Sequence, residues 1–308
     1  MRDLTEANVT DAVIARIGKD TPARVAEIMT ALVRHAHAFA REVRLTPDEL
    51  LYAARFIQRV GQISNDKREE GVLLGDVLGI TSLVEAMADN ARKGATESSL
   101  LGPFYRDGAP FRPNGFDISC GDATGQPTWV EGRVTDAEGK PLEGVILDLW
   151  QTAPNGFYEG QVGQTLALPE YAYRAKLRTD AEGRYSLRTT KPVEYPVPID
   201  GPVGEILIGT GRHPWRPAHL HFLVLKDGYQ PVQTELFNSD DQYLDSDAVF
   251  GVKASLVVDY VKNADPAVAK KRGFAGPHYE TRYDFTLKRA AEVRDLAAEY
   301  RRRASISA

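Results

Sequence analysis

The chain has 308 residues, 43% hydrophobic and 26% charged, with a net charge of −5 and a single cysteine, Cys120. This is the balance of an ordinary folded protein, long enough for one large domain or two smaller ones. It excludes the basic face of a nucleic-acid binder, a disulfide framework and any multi-cysteine metal site, so a metal here must be held by His, Asp, Glu or Tyr.

From residue 1 to about 101 the pattern is helical. VTDAVIARI, TPARVAEIMTALVRHAHAFAREV, TPDELLYAARFIQRVGQIS and GVLLGDVLGITSLVEAMADNARK repeat apolar residues at three- and four-residue intervals. Thr21-Pro22 and Thr46-Pro47 each read as an N-cap followed by proline at the first helical position. No apolar run approaches the roughly 18–20 residues of a membrane span, and MRDLTEANVTDAV lacks the basic and apolar parts of a signal peptide. The cytoplasm is the expected location. His35 and His37 lie two apart on a helix, where that step turns the side chain by about 200°, so they cannot share a metal.

After Gly102-Pro103-Phe104 the character changes to β. WVEGRVTDAEGKPLEGVILDLWQT and KLRTDAEGRYSLRTT each place an Asp-Ala-Glu-Gly turn between two strands, and HLHFLVL, VQTELF, ASLVVDYV and RYDFTLKR add more. Short strands separated by Gly/Pro turns point to an antiparallel β-sandwich or barrel, making the whole an α+β chain with a helical segment (1–101) before a β segment (102–308). The last stretch, AAEVRDLAAEYRRRASISA, reads as a charged helix and a frayed tail.

GRHPWRPAHLHFLVL holds three of the six histidines. His219 and His221 are also two apart, but on a strand, where such residues share a face and both rings can converge on one ion. A pair of hydrogen-bonded strand histidines fits the same pattern. His213, in the loop before the strand, reads as loop architecture. Two tyrosines stand in loop-like contexts without an obvious core role: Tyr158 in NGFYEG and Tyr195 in KPVEYPVPIDGP. Two phenolates with two imidazoles suit a hard, oxidised ion such as Fe(III). Neutral tyrosines at loop ends fit as well.

DLWQTAPNGFYEGQ, LRTDAEGRYSLRTTKPVEYPVP and GRHPWRPAHLHFLVLKDGYQP together resemble the intradiol ring-cleaving dioxygenases, the family of catechol 1,2-dioxygenase. The resemblance runs from about Leu100 to Val258, and the helical N-terminus is similar to that of the catechol branch. It implies a β-sandwich catalytic domain behind a helical dimerisation domain. It also implies one non-haem Fe(III) per subunit held by Tyr158, Tyr195, His219 and His221, and a homodimer formed through the N-terminal helices, in some members around a bound lipid. Tyr195 is then the ligand that leaves and accepts a proton when the substrate binds through two oxygens. Both atoms of O2 enter the product as the ring opens between its hydroxyl-bearing carbons. Arg216, in RPAHLH, is implied as the residue that stabilises charge on the substrate. Where the catechol branch often carries a glutamine after HxH, this chain has Glu235 in QTELF.

ATESSLLGPFYRDGAP and YLDSDAVFGVKASLV look like the hydroxyquinol branch, which implies benzene-1,2,4-triol as substrate and 3-hydroxy-cis,cis-muconate, or maleylacetate, as product. Catechol or a chlorocatechol is the alternative. The pocket carried over by position comprises Leu73, Asp76, Leu100, Leu101, Gly102, Pro103, Phe104, Val197, Pro198 and Val249. Asp76 stands in the apolar GVLLGDVLGI, where a lone carboxylate needs a partner. The extra ring hydroxyl is one, and solvent or a lysine is another. Two further classes fit parts of the chain. A cupin-like HxH enzyme needs a carboxylate and a further histidine on a later strand, yet the only histidine beyond His221 is His278, in a Gly-Pro turn, and a transthyretin-like binding module has no use for the four candidate ligands together.

Overall fold

A computed structural model describes residues 3–65, 67–91, 94–161 and 163–290, and the chain divides between Gln58 and Arg59 into two compact units. The helix expected at the C-terminus lies, from residue 291 on, outside the described residues.

The first unit is helical: α1 (Val9–Ile14), α2 (Ala23–Glu42) and the greater part of α3 (Pro47–Ile63). α1 is tied to α2 by Thr10 Oγ1, which lies 3.0 Å from His37 Nδ1 and accepts from Arg41 at 2.7 Å. The cap expected at Thr46 is present as a reciprocal box: Thr46 Oγ1 accepts from the Glu49 N–H at 3.3 Å, and the Glu49 carboxylate accepts from the Thr46 N–H at 2.8 Å. At the other site the expectation fails. Pro22 is itself the cap residue, extended at ψ 134°, with no side-chain cap bond, and Ala23 is the first helical residue.

In the second unit the expected fourth helix is two, α4 (Glu70–Val77) and α5 (Ile80–Ala91), bent by 74°. Gly79 takes a left-handed φ of +70°, which stops α4 after Val77. The break places Asp76 in the last turn of a helix that also buries Leu73 and Val77. Among the described residues no single helix is long and apolar enough to cross a membrane.

The β elements are β1 (Pro127–Asp136), β2 (Ile146–Trp150), β3 (Arg174–Arg178), β4 (Arg184–Thr190), β5 (Tyr195–Pro196), β6 (Trp215–Arg216), β7 (His219–Leu225), β8 (Val232–Asn238), β9 (Val257–Val258), β10 (Val261–Asn263), β11 (His278–Arg282) and β12 (Phe285–Leu287), with α6 (Pro202–Gly209) and α7 (Pro266–Arg272) between them. One sheet runs β10-β11-β1-β12 with β4 also paired to β1, the other runs β3-β2-β7-β8-β9, and β5 and β6 form a separate ribbon. Most pairings are antiparallel, as expected for a sandwich; β1 with β11, β1 with β12, and β8 with β9 are parallel.

The core lies between the two large sheets, where Val130, Val134 and Leu187 of one meet Leu147, Leu149, Leu220 and Phe222 of the other. Neither Asp-Ala-Glu-Gly turn pairs the two strands it joins. The first links β1 to β2 and the second links β3 to β4, so each carries the chain from one sheet to the other. Both are built alike. Asp136 Oδ1 accepts from the Lys140 N–H and Asp180 Oδ1 from the Arg184 N–H, each at 2.8 Å, and Gly139 and Gly183 sit at φ +80° and +73°.

Candidate active site

The site lies on the face of the β3-β2-β7-β8 sheet that points away from the sandwich core. Strand register sets one row of side chains across four strands: Trp150 opposes Arg174 on one side and His221 on the other, and His221 opposes Glu235. Trp150 stacks on the His221 ring at 4.6 Å and 8°. β7 contributes His219 two residues before His221, the ribbon contributes Tyr195 and Arg216, which pair across it, and the loop after β2 contributes Tyr158.

These residues converge. His219 Nε2 and His221 Nε2 are 3.1 Å apart, Tyr158 Oη is 3.0 Å from His221 Nε2, and Tyr158 Oη is 3.3 Å from Tyr195 Oη. All four side chains are buried. His219 Nδ1 lies 2.7 Å from the Pro217 carbonyl, so that nitrogen carries the proton and Nε2 presents its lone pair inward. Burial pushes the His219 pKa down to about 4 and that of His221 well below the usual value, which keeps both rings neutral. Burial likewise raises both tyrosines, Tyr158 strongly. The centre thus gathers two neutral imidazoles and two phenols that only a nearby cation would ionise. Donor separations of 3.0–3.3 Å are those of adjacent ligands at about 2.0–2.2 Å from a shared ion, so the residues fit a metal.

His219, His221 and Glu235 also bring donor atoms within 4.8 Å of one another, close enough to hold an ion. Glu235, however, is already engaged. Its oxygens accept from Arg216 Nη1 at 2.6 Å, Arg216 Nη2 at 3.1 Å and Ser99 Oγ at 2.6 Å. The phenols offer third and fourth donors, while Glu235, whose Oε1 also lies 3.3 Å from His219 Nε2 and 3.5 Å from His221 Nδ1, borders the centre and holds Arg216.

Arg216 is buried with every N–H directed. Nε and Nη2 donate to Asp247 at 3.1 and 3.2 Å, Nη1 and Nη2 donate to Glu235, and Nη1 also lies 3.2 Å from His219 Nε2. Asp247 in turn accepts from the Val249 and Gly251 N–H groups, so one carboxylate fixes both Arg216 and the turn that carries Val249. Sequence reading missed Asp247, Ser99, Trp150 and Arg174. The acid-rich YLDSD was the one visible hint, and nothing in it distinguishes Asp247 from Asp245.

Of the residues expected to line the pocket, Leu73, Leu100, Gly102, Pro103, Phe104, Val197 and Val249 are buried, while Leu101 and Pro198 are partly exposed. Phe104 stacks on Tyr158 at 4.8 Å. Gly102 holds φ +75° against His221, whose Cε1 would lie 3.4 Å from an added Cβ. Asp76 is 1% exposed, and its Oδ1 meets no hydrogen-bond donor among the described residues. Burial raises its pKa to about 6, against a Thr81 hydrogen bond and the charge of Arg216; it also feels Glu235 and Asp247. His213 stays outside this cluster and accepts from the Trp215 N–H at 3.2 Å.

A family model described as Dioxygenase matches residues 100–289, and another, described as Catechol dioxygenase N terminus, matches residues 22–96. The intradiol ring-cleavage dioxygenase hqdA of Aspergillus niger is 40% identical over 97% of this chain and 89% of its own. The chain belongs to the intradiol dioxygenases. This dioxygenase is also 45% identical, over 86% of its length and 95% of the relative's, to the 6-chlorohydroxyquinol 1,2-dioxygenase of Cupriavidus pinatubonensis. In three dimensions it is similar to the crystal structure of the hydroxyquinol 1,2-dioxygenase of Pseudomonas putida, with a TM-score of 0.80 and 42% identity over 92% of this chain and 99% of that one.

Proposed function

We propose that this dioxygenase opens the ring of hydroxyquinol (benzene-1,2,4-triol) with O2 to give 3-hydroxy-cis,cis-muconate, the tautomer of maleylacetate. The observation that carries the choice of substrate is Asp76, a buried carboxylate with one oxygen unpartnered among the described residues, on the helix that also buries Leu73 and Val77. A third ring hydroxyl satisfies it; catechol leaves it bare. The names of the relatives from Cupriavidus and Pseudomonas point the same way.

In this reading Tyr158, Tyr195, His219 and His221 hold one non-haem ferric ion per subunit. When bound, ferric iron supplies the Lewis acidity that makes the two adjacent substrate hydroxyls acidic and the ring electron-rich enough to react with O2. Tyr195, at the start of the β5–β6 ribbon, accepts the proton of one of those hydroxyls at its Oη. Arg216, immobilised by Glu235 and Asp247, stabilises negative charge that develops on substrate oxygens. Leu73, Leu100, Phe104, Val197 and Val249 exclude water from the ring, and Asp76 accepts from the third hydroxyl.

Oxygen uptake with hydroxyquinol, catechol and 4-chlorocatechol tests the assignment. The expected order puts hydroxyquinol first. Asp76→Asn should lower kcat/KM for hydroxyquinol by roughly ten- to a hundredfold, the worth of a hydrogen bond to a charged group, and leave catechol turnover nearly unchanged. An unaltered ratio removes the substrate assignment; a protein that stays colourless after ferric loading removes the dioxygenase site as drawn.

The division into a helical dimerisation domain (1–101) and a catalytic domain (102–308) belongs to the same proposal, as does a cytoplasmic location. α2 exposes Val25, Ile28, Met29, Leu32 and Phe39 at three- and four-residue spacing, a stripe suited to a second copy of the chain, with room for a lipid as a further proposal. Leu32→Glu should shift a sedimenting dimer to monomer, and organic extraction of the purified protein checks the lipid.

A further inference from the structure

Arg174 stands at the far end of the row that contains Trp150 and His221, is 3% exposed, and plays no part in the mechanism above. Its Nε donates to Glu159 Oε2 at 3.3 Å, yet Arg106 Nη1 donates to both oxygens of the same carboxylate at 2.7 and 2.8 Å. Arg106 also reaches the exposed Glu170 at 3.5 Å, so among the described residues the only buried carboxylate between the two guanidinium groups is Glu159, and it is the one that Arg174 shares. Arg174 Nη1, fully buried, meets no acceptor among the described residues. The Arg174 Cζ lies 5.7 Å from the centre of the Tyr158 ring. A buried charge that is incompletely compensated is costly, and its cost falls when a complementary charge appears nearby. Tyr158 is the side chain at that distance able to provide one.

We propose that Arg174 is a positioning residue for Tyr158: it supplies a fixed positive charge behind the ring, balances the phenolate when metal is bound, and so sets how strongly that oxygen donates to the ion. The inference rests on Tyr158 being a metal ligand. Glu159 then acts as the counterweight. By dividing its charge between Arg106 and Arg174 it leaves Arg174 partly uncompensated toward Tyr158, so the ligand is tuned from a residue that touches neither metal nor substrate.

The visible phenolate-to-iron absorption of the full-length, ferric-loaded protein reads this directly. Arg174→Met keeps much of the buried stem and removes the charge. It should shift the band to longer wavelength, because phenolate electrons are held less tightly. Arg174→Lys should keep the band close to its original position. Glu159→Gln, which leaves Arg174 unopposed, should move the band to shorter wavelength, and this opposite sign keeps the test decisive where Arg174→Met does not fold. Tyr158→Phe is the reference. If it loses part of the band while neither Arg174→Met nor Glu159→Gln moves it, the inference about Arg174 is overturned and the ligand assignment stands. If Tyr158→Phe leaves the band unchanged, the ligand assignment fails and this inference fails with it.

Discussion

The two faces of the β3-β2-β7-β8 sheet are equally dry and chemically opposite. On the inner face Ala175, Leu149, Phe222 and Thr234 form a transverse row at 0% exposure; one residue away along each strand, Arg174, Trp150, His221 and Glu235 form the next row at 3, 1, 1 and 0%. Burial therefore does not separate core from site in this protein. The inner row is stabilised by the apolar area it removes from water. The outer row carries groups whose burial is unfavourable until each finds a partner, and it is pinned by ion pairs, ring stacking and short hydrogen bonds. One sheet provides both because side chains alternate across it, so a rigid apolar face fixes the positions of reactive groups on the reverse.

That contrast can be broken from either side. The largest effect is expected for His221→Ala on the outer row. Bound iron, visible colour and oxygen uptake should all be lost while the far-ultraviolet circular dichroism is kept, and retention of full activity refutes the site. Phe222→Ala, its neighbour on the inner row, should do the converse. Denaturant unfolding should show a loss of about 3–5 kcal/mol, with colour retained in whatever remains folded.

Asp76 sharpens the comparison by titration. Its folded-state pKa, raised to about 6 from an ordinary 3.8 chiefly by burial, means that the folded protein holds this proton more tightly than the unfolded chain does. The protonated form is thus the stabilising one. That contribution is complete below about pH 4, declines as pH rises, and is gone above about pH 6, a difference on the order of 3 kcal/mol. Asp76→Asn should flatten this part of the stability curve between pH 4 and 7, as measured by urea unfolding of the iron-free protein. A curve parallel to that of the parent means that Asp76 ionises freely and is not the buried carboxylate with an unpartnered oxygen on which the substrate choice depends.

Much of the architecture could be read locally. The switch from helical to strand periodicity near residue 102, the reciprocal cap at Thr46 and the shared face of His219 and His221 all follow from interactions within a few residues of the chain. The break at Gly79 was hidden because the apolar pattern continues through it and a single glycine is compatible with a helix. The two Asp-Ala-Glu-Gly turns were legible as turns, but not as links between sheets, since the same Asp and Gly chemistry closes a hairpin or turns a corner. The resemblance to the intradiol enzymes drew attention to Tyr158, Tyr195, Arg216 and Asp76, and the fold brings all four to one region together with the two histidines.

The sequence by itself determined where helical periodicity gives way to strand periodicity and which residues on a strand share a face, because helix and strand periods are properties of the local backbone. It also supplied the residue types that could hold a hard metal ion. Only the tertiary structure decided that Arg174, Trp150, His221 and Glu235 lie in one line, that Glu235 and Asp247 grip Arg216 from two sides, and that Asp76 is sealed from water. Those relations depend on strand register and on segments that are separate in the chain and meet only in the fold, and neither leaves a mark within any short stretch of the chain.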